Sequence, residues 1–174
     1  MIETLISSKT RINILLKFFL NPECTSYLRE LSAEFNESTN AIRLELNRFE
    51  EAGMLDTMLN GNRKIFRANK NHPLYLDIRN ILLKYIGIDQ IIEKVIKKLG
   101  NPEKVYLTGE FAKGRDGKII DLIIVGDINK GFLIKCIETV ESQIDKKIRY
   151  IVYRTEEFNS MSLDSKNVML LWSN

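Results

Sequence analysis

Apolar residues return every third or fourth position through three successive stretches, 10–20, 26–35 and 38–52, and this spacing predicts three helices, each with one buried face. In the third stretch Ile42, Leu46 and Phe49 fall at i, i+4 and i+7, forming one stripe and leaving the opposite face polar. Ser38 is placed to cap that helix, because its hydroxyl can accept from an otherwise unpaired first-turn amide. Gly53 suits the left-handed position just past its end. The period then shortens to two. Residues 54–58 and 64–68 alternate as strands, and Leu59-Asn60-Gly61-Asn62 between them carries the Asn-Gly signal of a hairpin.

The pattern changes again after Asn71-His72-Pro73. Residues 74–99 are helical, with Ile78, Ile81, Leu82 and Tyr85 on one face, Ile91, Ile92, Val95 and Ile96 further on, and Gly87 dividing two helices. The last third alternates strand and helix: strands at 105–108 and 119–125, a helix at 130–144, a strand at 148–153 and a short strand at 168–172. The expected fold is α+β with an α/β-patterned last third. Its three parts are a three-helix and hairpin domain at 1–71, linker or dimerisation helices at 72–100, and a small mixed sheet with helices at 101–174.

Composition narrows the function classes. With 174 residues and 44% apolar content the chain can bury a core in one ordinary or two small domains. The net charge of +3 is too small to imply a polyanionic partner by itself, so any such role depends on where the cations sit. Cys24 and Cys136 lie far apart and His72 is the single histidine, a poor donor set for a metal site. Reduced structural thiols are expected, with no metal and no cofactor. The opening residues lack a basic region before an apolar run, and the run at 14–20 is short and interrupted by Lys17. A cytoplasmic protein with no membrane partner is expected.

Three helices followed by a hairpin, with a short turn between the second and third helices, is an order that places one helix in a DNA major groove. The segment from Tyr27 through Leu31 to Phe35, followed by Ser38 through Arg43 and Phe49 to Leu55, resembles winged helix-turn-helix regulators of the ArsR-like type over about the first seventy residues. With the stripe of the third helix buried, Ser38, Thr39, Asn40, Arg43 and Asn47 project outward near its start. Asparagine can pair bidentately with adenine and arginine with guanine, while hydroxyls commonly meet phosphate. Asn62, Arg63, Lys64 and Arg67 gather charge around the hairpin, as contacts to the sugar-phosphate backbone or a minor groove require. Glu45, Glu50 and Glu51 oppose this unless they turn toward the protein or sit at the far end of the helix. The resemblance implies double-stranded DNA as partner and a homodimer reading two half-sites, with the apolar faces of 74–96 available for pairing or for domain docking.

In the last third, Tyr106-Leu107-Thr108-Gly109-Glu110 through Gly114, then Ile119-Ile120-Asp121-Leu122, resemble the minimal nucleotidyltransferase fold across most of 105–172. The resemblance implies a Gly-Ser turn against phosphate and carboxylates holding two Mg²⁺ ions. Here Glu110 replaces the serine, Ile119 stands where the first aspartate belongs, Asp121 matches the second, and the strand at 148–153 has no acid. One carboxylate cannot hold two hard cations in octahedral shells, so no catalytic residue is expected. Gly109, Glu110, Lys113, Gly114 and Asp121 form a vestigial nucleotide site that could still receive a nucleotide or anion effector. The leading expectation is a sequence-specific transcriptional regulator with a non-catalytic second domain. The alternatives are a nucleotide-sensing regulator, and a nucleotidyltransferase or antitoxin acting on a partner protein.

Overall fold

The structure is a computed structural model, described for residues 2–96, 99–159 and 167–174. It is a mixed α+β fold that divides into two compact units, residues 1–82 and 83–174, each with its own sheet. The division falls inside the segment at 72–100 expected to link the domains.

The first unit begins with α1 (Ile2–Leu5) and α2 (Lys9–Leu15), which runs on into a π-helical turn at Leu16–Leu20. Strand β1 (Thr25–Tyr27), helices α3 (Leu28–Phe35) and α4 (Thr39–Glu51), and strands β2 (Leu55–Asn60) and β3 (Arg63–Ala68) follow. The expectation that the second helix starts at Ser26 is corrected. Thr25, Ser26 and Tyr27 pair antiparallel with Arg67, Phe66 and Ile65, making a three-stranded sheet in the order β1-β3-β2. A strand of three residues is too short to show alternation, so only its pairing partner defines it.

Helix α4 is bounded as its caps require. Ser38 Oγ accepts from the Ala41 amide at 3.2 Å. At the other end the Gly53 amide donates to the Glu50 carbonyl and the Met54 amide to the Phe49 carbonyl, with Gly53 at φ +69. Those paired bonds, from C′ to C2 and from C″ to C3, are the Schellman arrangement. Asn36 in the left-handed region ends α3, so three residues separate it from α4. The hairpin turn is Gly61-Asn62, with Asn60 and Arg63 as the closing pair, so the strand extends one residue past the expected turn start. Gly61 alone has positive φ there, the pattern of a type II′ turn. Ile14, Leu16, Phe18, Phe19, Leu31, Ile42, Leu46 and Phe66 form the core beneath these elements.

Helix α5 (Tyr75–Ile86) spans the division, and Gly87 at φ +87 separates it from α6 (Ile88–Lys94) as expected. The second unit then runs β4 (Gly100–Thr108), α7 (Gly109–Ala112), β5 (Ile119–Ile128), α8 (Lys130–Glu141), β6 (Lys147–Tyr153), α9 (Thr155–Asn159) and β7 (Met169–Ser173). Its sheet has the order β6-β5-β4-β7, with β5 and β6 parallel and the other pairs antiparallel. Helix α8 is the crossover that a parallel pair needs. Ile120, Leu122 and Ile124 of β5 alternate into the core with Val105, Leu107, Leu133, Ile137 and Val140. No helix among the described residues is long and apolar enough to cross a membrane. Both cysteines are free, and burial pushes the Cys24 thiol up, away from the reactive thiolate.

Gly53→Ala places a Cβ on a left-handed backbone with only His72 nearby, so conformational strain rather than a clash sets its effect. Urea unfolding should show a loss of about 1–2 kcal/mol, and Gly53→Asn should lose less because asparagine tolerates that region better. Equal losses for both variants would mean that packing, not backbone conformation, fixes this position.

Candidate nucleic-acid interface

A groove of about 740 Å³ runs between α3, α4 and the hairpin, lined among others by Arg29, Arg43, Asn47, Asn62, Arg63 and Lys64. Arg43 and Asn47 reach it because Ile42, Leu46 and Phe49 hold the opposite face of α4 in the core. Tyr27 and Phe66 form part of the apolar wall. The Arg63 guanidinium lies over the Tyr27 ring, 5.0 Å from its centre, which keeps that cation at the groove edge.

Two of the three acids of α4 are bonded to cations of the same unit. Glu45 is buried, accepting from Arg11 Nε at 2.9 Å and Arg11 Nη2 at 3.3 Å, and from Arg48 Nη1 at 2.8 Å. Glu50 accepts from Lys64 Nζ at 2.6 Å and from the Thr57 hydroxyl at 3.0 Å, tying the hairpin to α4. Those bonds, the Lys64 one foremost, hold the Glu50 carboxyl below its ordinary range. Lys64 therefore enters the groove already neutralised in part. Glu51 is exposed, at the last turn of α4.

Ser38, Thr39 and Asn40 are exposed at the start of α4, with the Ser38 hydroxyl engaged as the cap. Arg67 does not join the groove. It lies at the far end of β3, four residues and about 13 Å from Arg63, pairs with Asp56 at 3.6 Å, and borders a separate cleft with Glu23 and Lys70. Its closeness to the turn along the chain, from which a place beside Arg63 and Lys64 is expected, is not closeness in space. Two exposed residues had been passed over: Arg29, in the first turn of α3, and Leu44, between Arg43 and Asn47 on α4. The signal for Arg29 was its place at a helix start facing the same turn.

In the second unit, Asp121 and Gly109 are packed so tightly that a Cβ at Gly109 would overlap the Asp121 carboxylate. That carboxylate is occupied. Arg149, its registered partner on β6, donates through Nε to Asp121 Oδ1 at 2.6 Å. Ile119 lies two residues earlier on the same strand, partly exposed. Glu110 is exposed and pairs with Arg115 at 3.2 Å and Lys113 at 3.6 Å. Gly114, at φ +75, closes α7 in the way Gly53 closes α4, with Gly114 and Arg115 amides donating to Phe111 and Glu110 carbonyls. Backbone geometry thus accounts for both turn glycines. Among the described residues no group of three or more histidine, cysteine or acidic side chains is placed to hold a metal.

No protein-family model and no curated protein matches this chain. Among solved structures, the protein AF1382 from Archaeoglobus fulgidus is similar over 47% of this chain and 93% of its own, at 22% identity and a TM-score of 0.39. A likeness at that level assigns neither activity nor ligand.

The Glu50–Lys64 pair has a defined pH signature. Carboxyl NMR should show Glu50 titrating below the ordinary glutamate value of about 4.3, and Lys64→Ala should return it to that range. Because the folded value is depressed, the pair's contribution to stability is complete above the ordinary range and disappears as pH falls through the lowered folded value. Ordinary titration of Glu50 in the unmodified chain would contradict the pairing.

Proposed function

We propose that the first unit is a winged helix-turn-helix that binds duplex DNA in a sequence-specific way, and that the chain is a transcriptional regulator. Helix α4 is the reading helix and the β2–β3 hairpin the wing. The observation that carries this is the groove where Arg29, Arg43, Asn47, Asn62 and Arg63 converge while Glu45 is drawn into the protein by Arg11 and Arg48. A duplex presents phosphates on both sides of a groove whose floor carries donors and acceptors. In this reading Arg43, Asn47, Thr39 and Asn40 address base edges and nearby phosphates, and Arg29, Arg63 and Asn62 the backbone. Leu74, in the turn just before α5, and Ile78 and Ile81 on that helix are apolar, with Leu74 and Ile81 about half exposed, and they support pairing of two copies on two half-sites.

The second unit, in the same proposal, is nucleotidyltransferase-like in fold and without catalysis. What supports this is the Arg149 guanidinium on the single matched carboxylate, in register where a further acid would be needed to share a cation. Glu110 adds a negative charge where a phosphate would approach.

Selection of duplex sequences by the purified chain should enrich a defined site, with affinity falling steeply as salt rises. At that site Arg43→Ala should lose about 1–3 kcal/mol and relax the preference. Arg63→Ala should weaken all duplexes alike and reduce the salt slope by about 0.9, whereas Glu50→Gln, which releases Lys64, should tighten them. No enrichment together with no low-salt affinity would remove the proposal.

For the second unit, incubation with ATP, GTP, CTP or UTP and Mg²⁺ or Mn²⁺ should yield no nucleotidyl transfer to protein or nucleic acid. Turnover that Asp121→Ala abolishes would contradict that assignment.

A further inference from the structure

The outermost ridge of α4 consists of Asn40, Leu44 and Asn47, at i, i+4 and i+7, and its middle member is apolar. Leu44 is 53% exposed and takes no part in the buried stripe of Ile42, Leu46 and Phe49. A lone exposed leucine is ordinary on a protein surface. This one is distinguished by its surroundings, since every other exposed side chain from residue 39 to residue 47 is polar or cationic: Thr39, Asn40, Arg43 and Asn47.

We propose that Leu44 is a specificity-determining residue that packs on the C5-methyl group of a thymine. This rests on the DNA-binding reading above and adds to it which base is read. The major-groove edges of the four bases present donors, acceptors and one apolar group, the thymine methyl. A leucine carried into that groove on the outward ridge has this one group as its apolar partner. The spacing suits the pairing: along the axis Leu44 stands about 6 Å from Asn40 and about 4.5 Å from Asn47, within one or two base-pair steps of about 3.4 Å. Asparagine pairs bidentately with adenine, and the complement of adenine carries the methyl. The ridge therefore reads a run containing A·T pairs. Leu44 distinguishes A·T from T·A by the side on which the methyl lies.

The test uses the full chain and the duplex it prefers, with each thymine replaced in turn by deoxyuracil, which lacks only the methyl group. Binding constants are measured for the unmodified chain and for Leu44→Ala, a change outside the buried core whose thermal melt is recorded alongside to show that the fold is kept. At one thymine position the unmodified chain should lose about fourfold in affinity, the loss of one buried methyl-sized contact. Leu44→Ala should bind the thymine and deoxyuracil duplexes equally well at that position. The inference is overturned if no position responds, if the response persists in Leu44→Ala, or if the preferred site contains no thymine. Failure of the chain to prefer any duplex is a separate result, which overturns the DNA-binding reading before any thymine is replaced.

Discussion

Glu45 lies in the middle of a helix whose outward face, Leu44 apart, is polar or charged, and the destination of its charge decides what that face can meet. Arg11, from α2, grips it with two nitrogens, and Arg48 adds a third bond from the next turn of α4. A buried carboxylate left alone would cost several kcal/mol by its desolvation, so the two guanidiniums are required once Glu45 is inside. The same contact fixes α4 against α2 and sets its rotation. With that rotation Ile42, Leu46 and Phe49 are buried and Asn40, Arg43, Leu44 and Asn47 face outward. Glu50 repeats the device at the other end of the helix, where Lys64 holds the hairpin against α4. The groove exists because both acids are satisfied by cations of the unit itself.

The second unit solves its own charge problem in a way that points elsewhere. Asp121 is mostly shielded, pressed against a glycine that has no room for a side chain, and bonded to an arginine of the neighbouring strand. An arginine that close competes with any metal cation for the carboxylate, by charge and by hydrogen bonding. Close packing against Asp121 and a positive φ account for the glycine at 109, whatever binds near it.

Much of the first unit was legible in the sequence because its signals are local. Ser38 and Gly53 bound α4 by capping chemistry that needs only neighbouring residues, and the alternation beside Gly61 defines the hairpin. Strand β1 was not legible, since three residues carry no period and its identity comes from Ile65, Phe66 and Arg67, some forty residues away. Arg67 was misplaced because nearness along an extended strand is not nearness in space. The partners of Glu45 and Asp121 were hidden for the same reason: Arg11 and Arg149 are 34 and 28 positions distant. In the second unit the order of strands and helix followed from periodicity, while β4 and β5 proved longer than their apolar centres suggested.

The central claim, that the face shared by α3, α4 and the hairpin is a duplex-binding surface, is tested most directly by the amide NMR spectrum of the whole chain titrated with a preferred duplex. The expected shifts fall on residues 27–29, 38–47 and 60–66, with the amides of β4, β5 and β6 little changed. Shifts concentrated around Gly109, Asp121 and Arg149, or no shifts at duplex concentrations that saturate binding, would contradict it.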